Sequence, residues 1–490
     1  MEKIKKIMLI SPSNVIPADS ARRLTTPIGL MYIGGILKRN NYQVQIVDSP
    51  CEGYNNTQRE GNYVRYGLSD SQLVEKISQF EPDLVGVTSM FSAHQQNALN
   101  CCDLIKKFDR DIQVVFGGVH PTLCPTEAIQ NDSVDYVLIG EGEYRMLELV
   151  RNLNQGKRDF SFDGIAYKKN GEIFVNPRTT RIENLDDLGI LSRDLIDMEE
   201  YIKIGVPFAP FARKKRVEQV MTTRGCPGEC SFCSSVELWG RKFRMRSVDS
   251  VVQEIDELVQ KYGIEEIQFS DDNLTANKKR AMELFKRMEP YKLSWCTPNG
   301  VMIRTLDREM IEAMAKSGAY QLSFAVESGS QRVLRDIINK RVPSKEQVKG
   351  LIDICHDNKI NVHGMLIIGF PGETRQEIQE TLDYPFQSGL DSASYFIANP
   401  LPGTRLYREC QQKGYLKKDC KIDFKSAEII IPRESSDFVM SGEEMEKLVD
   451  EQTRKFNKFV KTNNPEKWDE KYKQFKVKHE GELDITGRVT

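Results

Sequence analysis

Short apolar runs alternate with amphipathic segments along most of this 490-residue chain, and this alternation restricts its fold more than any other feature. In the first part of the chain, the runs that predict strands are Ile4–Ile10, Val44–Val47, Leu84–Val87, Val114–Phe116 and Tyr136–Ile139. The segments with helical periodicity between them are Ile28–Arg39, Asp70–Gln79, Ala93–Phe108 and Pro125–Asn131. Strands separated by helices predict a parallel α/β sheet, because parallel neighbours need a crossover connection.

The alternation resumes after residue 216 with six further strand–helix units. The predicted strands are Val217–Met221, Glu266–Phe269, Leu293–Cys296, Gln321–Phe324, Val362–Ile368 and Ala393–Ile397. The predicted helices are Ser247–Lys261, Lys278–Met288, Asp307–Ser317, Ser330–Ile337, Ser344–Asn358 and Thr374–Gln387. The chain is therefore expected to contain a second parallel α/β domain.

Turn and cap signals divide the chain further. Residues 163–182 predict a hairpin around Asn170-Gly171, a strong turn dipeptide, and acidic, proline-containing sequence follows to about Phe211. Ser441-Gly-Glu-Glu444 predicts a capping box that opens a helix through Val460. We expect a flavodoxin- or Rossmann-like domain at 1–160, a hairpin and linker at 161–212, a second α/β domain at 213–423 and a small helical region at 424–490.

Three cysteines, Cys226, Cys230 and Cys233, follow the strand predicted at Val217–Met221 in a C-x3-C-x2-C spacing. Three thiolates at this spacing can hold three corners of one [4Fe-4S] cluster from a single loop, whereas a full set of protein ligands is four. A missing ligand leaves one iron open to an outside group. The alternatives are a zinc site or three core cysteines, but zinc needs a fourth ligand nearby, and no Cys or His follows until Cys296.

The run TTRGCPGECSFC, residues 222–233, resembles the signature of the radical S-adenosyl-L-methionine (SAM) enzymes. In that family, the amino and carboxylate groups of SAM chelate the open iron. The resemblance implies a partial (βα)6 TIM-like barrel with its active site at the C-terminal ends of the strands. The residues that it implies for SAM binding are Phe232, Asp271, Asp272, Glu327 and Gly369. Helix caps and strand-end turns are the structural alternative, notably for Asp272.

The strand ends of the first domain are small or polar, as expected where a ligand approaches the carboxyl edge of a parallel sheet or where strands simply turn. The order of the runs TTPIGLMYIGGILKRNNYQVQIVD, GVTS, FGGVHPT and YVLIGEGE is similar to the cobalamin-binding domain of class B radical SAM enzymes. The residues that this resemblance implies for cobalamin binding are Thr88, Ser89, Gly117, Gly118, His120, Gly140, Glu141 and Gly142.

Many other cobalamin proteins carry Asp-x-His-x-x-Gly after the first strand, and that histidine is the lower cobalt ligand. Here the corresponding loop reads Ser11-Pro-Ser-Asn14 and has no histidine. His120 follows a different strand, so we expect it to support its loop through hydrogen bonds rather than to ligate cobalt.

Composition restricts the partners and the location. Lys and Arg (69) nearly balance Asp and Glu (71), the net charge is −2, and a nucleic-acid partner is not expected. No apolar run approaches the roughly 18 to 20 residues that cross a bilayer. Eleven cysteines in a chain of this length do not form a secreted disulfide framework. We therefore expect a cytoplasmic protein. The family resemblance implies an oxygen-sensitive enzyme with a small-molecule substrate and an electron donor such as flavodoxin or ferredoxin.

The resemblance implies cobalamin-dependent methylation of an unactivated carbon in a natural product, lipid or tetrapyrrole precursor. The expected products of SAM are methionine, 5′-deoxyadenosine and S-adenosylhomocysteine. One alternative is a cobalamin-dependent cyclase or rearrangement enzyme without methyl transfer. The other, from a different class, is a non-catalytic corrinoid sensor.

Overall fold

The computed structural model describes residues 3–416 except 19, 21, 206, 210 and 211, together with 437–466 and 468. The chain divides into two compact units, Met1–Ile204 and Gly205–Thr490. In the described residues, no helix is long and apolar enough to cross a membrane. The expected boundary near residue 423 lies outside the described residues.

The first unit contains ten strands and eight α-helices among its described residues. The strands are β1 (Lys6–Ser11), β2 (Asn14–Pro17), β3 (Gln43–Asp48), β4 (Thr57–Glu60), β5 (Tyr63–Tyr66), β6 (Leu84–Thr88), β7 (Gln113–Gly117), β8 (Tyr136–Leu138), β9 (Ile165–Lys169) and β10 (Glu172–Asn176). The helices are α1 (Ile28–Arg39), α2 (Ser49–Glu52), α3 (Asp70–Phe80), α4 (Gln95–Phe108), α5 (Val119–Leu123), α6 (Pro125–Gln130), α7 (Gly142–Asn154) and α8 (Met198–Ile204).

The main sheet of the first unit has the strand order β10-β9-β8-β7-β6-β1-β3. Its five parallel strands are β1, β3, β6, β7 and β8. Counted along the chain, their spatial order is 2-1-3-4-5, the doubly wound flavodoxin-like order. The predicted parallel sheet is confirmed, and its strand order reverses between β1 and β6. A small antiparallel sheet of β2, β5 and β4 was not predicted.

Two apolar layers cover the faces of this sheet. Along β1, Ile7 and Leu9 pack with α1 and α7, while Met8 and Ile10 pack with α3, α4 and α6. A strand buried on both faces is apolar at successive positions, which explains the continuous apolar run. The sequence interpretation missed α7, although its buried residues have helical spacing: Met146, Leu149, Val150 and Leu153.

The predicted hairpin is present as β9 and β10, which extend the sheet in the antiparallel sense. Asn170 and Gly171 have φ angles of 51° and 81°, as a two-residue type I′ turn requires. The segment that follows also belongs to the first unit, because Leu185, Leu188 and Leu191 are buried in its core. Of residues 161–212, which were expected to form a hairpin and linker, residues 161–204 thus lie inside this unit.

The second unit contains eight strands and eight α-helices among its described residues. The strands are β11 (Val217–Val220), β12 (Thr223–Arg224), β13 (Arg244–Met245), β14 (Glu266–Phe269), β15 (Ser294–Val301), β16 (Ala319–Glu327), β17 (Asn361–Ile368) and β18 (Ser392–Ile397). The helices are α9 (Ser235–Trp239), α10 (Val248–Tyr262), α11 (Lys278–Met288), α12 (Arg308–Lys316), α13 (Lys345–Asp357), α14 (Arg375–Ser388), α15 (Arg405–Gln412) and α16 (Gly442–Asn463).

All six predicted strands of this unit form one parallel sheet in chain order, β11-β14-β15-β16-β17-β18. Strands β11 and β18 do not pair in the described residues, as expected for an open, partial barrel. Two helices were expected between β16 and β17. The second, Ser344–Asn358, is present as α13, whereas the first, Ser330–Ile337, is largely a π-helical segment at Val333–Ile338.

Helix α16 begins at the predicted capping box. Ser441 N–H donates to Glu444 Oε2 (2.6 Å), and Glu444 N–H donates to Ser441 Oγ (3.2 Å). The helix runs three residues beyond the predicted end at Val460. It packs against β18, and Gln452 Nε2 donates to the Leu382 carbonyl of α14 (2.8 Å). It thereby covers an edge strand of the sheet.

Candidate active site

The cysteine loop is built between β12 and β13, which pair in antiparallel fashion. Gly225, before Cys226, has a φ of 88°, and a Cβ there would lie 2.5 Å from the Lys242 carbonyl oxygen. Only glycine meets both conditions. At the other end of the loop, Ser231 N–H donates to the Ile338 carbonyl (2.8 Å). The π-helical segment Val333–Ile338 therefore anchors the loop through the carbonyl group of its own last residue, Ile338.

The three thiols are free and half-buried. A Cβ at Gly228 would lie 3.3 Å from Cys226 Sγ and 3.9 Å from Cys230 Sγ, so the chain turns tightly between these two sulfurs. Burial raises the pKa of Cys233 to about 12, which keeps this thiol protonated until a metal binds. Three free thiols on one short loop fit a cluster with an open iron.

Asp271, predicted to bind SAM, is almost fully buried and already has partners. Its carboxylate accepts hydrogen bonds from Thr222 N–H (3.1 Å), Thr222 Oγ (2.8 Å) and Thr223 Oγ. Burial raises the pKa of Asp271, while these hydrogen bonds act in the opposite direction. Because Thr222 and Thr223 lead into the cysteine loop, the structure places Asp271 as a support for that loop.

Asp272 is exposed, and its Oδ2 accepts a hydrogen bond from Ser235 Oγ (2.5 Å), two residues beyond Cys233. The surrounding protein atoms partly desolvate the carboxylate and raise the pKa of Asp272. Of the two neighbouring aspartates, Asp272 is the exposed residue, and its carboxylate lies beside Ser235 at the end of the cysteine loop.

Glu327 ends β16 and forms a buried ion pair with Lys340. Lys340 Nζ lies 2.7 Å from Glu327 Oε1 and 2.6 Å from the Ala325 carbonyl oxygen. Burial opposes the charge on Lys340, but Glu327 and the thiols of Cys230 and Cys226 raise the pKa of its ammonium. The pair therefore lies close enough to the cysteine loop to interact with it electrostatically. Glu327 also has a φ of 67°, which is rare for a residue with a side chain.

Phe232, in the cysteine loop, lies near Gly369, in the turn after β17. We call the cysteine loop and the segments that follow β16 and β17 the rim of the site. The Phe232 ring packs against Phe370, with ring centroids 5.8 Å apart. Gly369 N–H donates to Glu373 Oε2 (2.6 Å), and a Cβ at Gly369 would lie 2.6 Å from Met445 Sδ of α16. The turn after β17 is therefore fixed by Glu373 and leaves no room for a side chain at Gly369.

Glu377, at the start of α14, stabilises the same rim. Its carboxylate accepts from Arg332 Nε (2.7 Å) and Nη2 (2.5 Å), from Ser330 Oγ (3.0 Å) and from the cap residue Thr374. The Arg332 guanidinium is the main cause that lowers the pKa of Glu377 to about 2.

Replacing Glu377 by glutamine is expected to lower the free energy of unfolding by about 1–2 kcal/mol at pH 7, because it removes the ion pair with Arg332. The loss is not larger, because half-exposed Arg332 is partly screened by solvent. The carboxylate has a depressed pKa in the folded protein, so its contribution is present above the ordinary value of 4.5 and is lost as pH falls towards 2. Urea unfolding of the full chain between pH 2.5 and 7 measures this. The exposed pair Arg335–Asp336 supplies the control, Asp336→Asn, which is expected to change nothing measurable. A stability difference between wild type and E377Q that does not shrink at low pH would contradict this role.

The residues predicted to bind cobalamin gather at the carboxyl ends of β6, β7 and β8. Ser89 N–H donates to the Gly117 carbonyl (2.8 Å), and His120 N–H donates to the Ser89 carbonyl (3.2 Å). Thr122 continues the connection, because its Oγ donates to the Gly118 carbonyl (2.7 Å) and accepts from Gly140 N–H (2.8 Å). Three strand ends are thus joined into one edge.

Two adjacent glycines at this edge differ in their surroundings. Gly118 has a φ of 104°, and a Cβ there would lie 2.6 Å from the Ser89 carbonyl oxygen. A Cβ at Gly117 would meet nothing within 4 Å. Gly118 is thus required by the fold, whereas Gly117 leaves open space at the strand end, as a large planar cofactor needs.

His120 and Glu141 are buried at the same edge. His120 Nδ1 is 3.0 Å from Ser92 Oγ, as expected for a histidine that supports its loop. The Glu141 carboxylate accepts from Ile182 N–H (2.9 Å) and so ties the segment after β10 to the sheet. Gly142, the first residue of α7, packs against Ile33. A Cβ at this position would lie 3.0 Å from Ile33 Cδ1.

Comparison with known proteins identifies the family. The family model described as "Radical SAM superfamily" matches residues 220–384, and "B12 binding domain" matches residues 15–150. Cytidylyl-2-hydroxyethylphosphonate methyltransferase of Streptomyces wedmorensis is 33% identical over 488 residues, which cover 93% of this chain and 90% of that protein. The chain belongs to the cobalamin-dependent radical SAM enzymes. Its cofactors are a [4Fe-4S] cluster, SAM and cobalamin.

Two further proteins show the range of relatives and structures to which this chain is similar. Anaerobic magnesium-protoporphyrin IX monomethyl ester cyclase of Rubrivivax gelatinosus is 29% identical over 444 residues, covering 88% of this chain and 73% of that protein. The solved structure of the methyltransferase TsrM from Kitasatospora setae, with cobalamin and [4Fe-4S] cluster bound, has a TM-score of 0.70 at 16% identity. The match covers 84% of this chain and 78% of TsrM, and it shows that the fold is shared.

Three residues of this radical SAM enzyme were missed from the sequence. Lys340 pairs with Glu327 across 13 residues, and no local pattern connects them. Thr122 links two strand ends through its hydroxyl. Asn273 is fully buried, with Nδ2 4.0 Å from Cys226 Sγ and an Oδ1 that has no partner among the described residues. Asn273 directly follows Asp271 and Asp272, which the sequence interpretation chose for their carboxylates, and its buried amide is a further polar group beside a cluster sulfur.

Proposed function

We propose that this enzyme methylates an unactivated carbon of a small molecule. The observation that carries the proposal is the 33% identity to a phosphonate methyltransferase over nearly the whole of both chains. Two structural features support it. The cysteine loop is intact and can hold the cluster, and the strand edge at Gly117 is open and can accommodate cobalamin. A natural product, lipid or tetrapyrrole precursor remains the expected substrate class.

We propose residue roles in the second unit as follows. Cys226, Cys230 and Cys233 hold the cluster. Phe232, Asp272, Glu327 and Gly369 form the SAM site, with Asp272 as the acceptor for the SAM ammonium. Lys340 neutralises Glu327 and offers a cation to the SAM carboxylate. Asp271 positions the cysteine loop through its hydrogen bonds with Thr222 and Thr223.

In the first unit, we propose that Thr88, Ser89, Gly117, Gly118, Gly140 and Gly142 border the corrinoid, while His120 and Glu141 hold the loops in place. When bound, the cluster and SAM supply a radical that abstracts hydrogen from carbon, and cobalamin supplies the methyl group. The protein's own part is to orient these groups and to exclude water.

We further propose a one-electron donor of the flavodoxin or ferredoxin type and a cytoplasmic location. The cluster supports both, because it needs an electron for each turnover and loses integrity in oxygen.

The decisive experiment is product analysis with anaerobically reconstituted enzyme, SAM, hydroxocobalamin and a chemical reductant. The first candidate substrate is cytidylyl-2-hydroxyethylphosphonate, chosen from the relative, followed by lipid and tetrapyrrole precursors. Methylation predicts 5′-deoxyadenosine and S-adenosylhomocysteine in equal amounts, together with a product heavier by one methylene. Formation of 5′-deoxyadenosine with substrate conversion but no S-adenosylhomocysteine would overturn the proposal.

The second candidate function is cyclisation without methyl transfer, which the 29% identity to the anaerobic cyclase favours. The same assay separates the two functions. A cyclase converts SAM to methionine and 5′-deoxyadenosine only, whereas a methyltransferase also forms S-adenosylhomocysteine. A non-catalytic corrinoid sensor has no support among these relatives, which are named as enzymes.

Replacing Lys340 by methionine is expected to reduce SAM affinity at least tenfold, because it removes a cation and leaves Glu327 as an unpaired buried charge. Breaking a buried pair also lowers the free energy of unfolding by about 3 kcal/mol. Isothermal titration with SAM and urea unfolding measure the two effects separately. The double variant Glu327→Gln with Lys340→Met is the control, since it removes both charges and is expected to recover much of the stability but not SAM affinity. Unchanged SAM affinity in K340M would exclude the proposed contact.

A further inference from the structure

A second set of metal-binding side chains lies in the first unit, where α5 meets α6. A ring nitrogen of His120, Cys124 Sγ and a carboxylate oxygen of Glu127 all lie within 4.8 Å of one another. Although Cys124 separates the two helices, its N–H donates to the His120 carbonyl (2.9 Å), and its own carbonyl accepts from Ala128 (3.0 Å). This nearly continuous helical path puts positions 120, 124 and 127 on one face.

His120 has the free nitrogen that such a site requires. The side chain is 2% exposed, its Nδ1 is 3.0 Å from Ser92 Oγ, and its Nε2 has no partner among the described residues. A buried ring nitrogen without a partner is unfavourable. A proton on Nδ1 would serve Ser92 and leave the Nε2 lone pair for a metal, the usual arrangement in metal-bound histidine.

Cys124 and Glu127 complete the set. Cys124 is a free, half-buried cysteine. One oxygen of the exposed Glu127 carboxylate accepts from Gln95 Nε2 (2.9 Å), which orients the group and leaves the other oxygen available.

We propose that His120, Cys124 and Glu127 bind one Zn²⁺ ion, with the fourth position open to water or another ligand. One imidazole, one thiolate and one carboxylate suit zinc, whereas Mg²⁺ and Ca²⁺ require mainly oxygen ligands. Ligand atoms on one tetrahedral zinc lie about 3.4 to 3.6 Å apart. The ligand atoms here must therefore approach by about 1 Å on binding, through rotation of the exposed Glu127 and half-buried Cys124 side chains. This zinc site has no role in the proposed methylation and belongs to a different unit from the cysteine loop.

The test measures zinc in the full-length chain with Cys226, Cys230 and Cys233 all replaced by alanine, so that cluster thiols cannot bind the metal. After gel filtration in a weak chelator, elemental analysis is expected to find about one zinc per chain. His120→Ala and Cys124→Ser are each expected to reduce zinc at least tenfold. Cys51→Ser is the matched control. It removes a free thiol of the same unit outside the proposed site and is expected to leave the zinc content unchanged.

A second measurement uses the wild-type holoenzyme and does not depend on that variant folding. Added Zn²⁺ is expected to slow alkylation of Cys124 at least tenfold, as followed by peptide mass spectrometry, and H120A should remove this protection. Zinc absent from the triple variant together with unprotected Cys124 in the holoenzyme would overturn the proposal. So would H120A protein that loses cobalamin while Cys124 stays protected, since His120 Nε2 would then serve the corrinoid. Failure of methylation with zinc still bound would count only against the proposed function.

Discussion

Replacing any one of Cys226, Cys230 and Cys233 by alanine is expected to abolish SAM cleavage, with a loss of at least 1,000-fold, or more than about 4 kcal/mol in the barrier. The loop supplies three sulfurs to a cluster that has no fourth protein ligand in the sequence motif, so no remaining thiol can replace a lost one. Iron and sulfide analysis after anaerobic reconstitution, together with 5′-deoxyadenosine formation, measures the effect.

Cys355→Ala is the matched control for the cluster variants. Cys355 is a buried free thiol in α13, and its removal is expected to leave four irons per chain and full SAM cleavage. Four irons retained in C226A, C230A or C233A protein would contradict the assignment of the cluster to this loop. A zinc-loaded wild type that takes up no iron would contradict it as well.

The adjacent residues Gly117 and Gly118 provide the second large effect, because one substitution tests the cofactor and the other tests the fold. Gly117→Ala is expected to lower cobalamin affinity at least tenfold while leaving the free energy of unfolding unchanged, since its Cβ would enter space that the corrinoid needs. Gly118→Ala is expected to lower the free energy of unfolding by about 1–3 kcal/mol, because its φ of 104° and the Ser89 carbonyl both exclude a side chain.

Cobalamin retention through gel filtration, read from the absorption spectrum, and urea unfolding of the apoprotein measure the two effects. The control is Gly350→Ala, an exposed position inside α13 where a Cβ meets nothing within 4 Å. Normal cobalamin retention in G117A would place the corrinoid away from the end of β7.

Much of the fold follows from local sequence. The parallel strands on both units are short apolar runs, and the helix over Ile28–Arg39 has the predicted bounds because its periodicity, its preceding Pro27 and its basic last turn agree. The small sheet of β2, β4 and β5 was missed, because strand β4 is exposed at all four positions and carries no apolar pattern. The segment around Leu185 was interpreted as a linker, because its leucines are interspersed with acidic residues and form no clear apolar pattern. Three of these leucines are nevertheless buried in the core.

The site divides in the same way. The cysteine spacing and the strand-end glycines are local signals, so the sequence contains them directly. Asp271, rather than Asp272, accepts hydrogen bonds from Thr222 and Thr223 because of where these threonines lie, and that is decided by the pairing of β11 with β14. The partner of Glu327 is equally non-local, because Lys340 reaches it only after the intervening segment has turned.

That intervening segment, Val333–Ile338, has a wider turn than an α-helix and so contains about one residue more per turn. Deleting one residue here would restore an ordinary α-helical turn, because a π-helical segment holds one residue more than the α-helical turns it replaces. The residues downstream would keep nearly the same angular position, so Ile338 and Lys340 would still face Ser231 and Glu327. A second deletion has no surplus residue to absorb it and would rotate the downstream residues by about 100°, which would separate the Ile338 carbonyl from Ser231 and the Lys340 ammonium from Glu327. This stretch should therefore tolerate the loss of one residue but not of two.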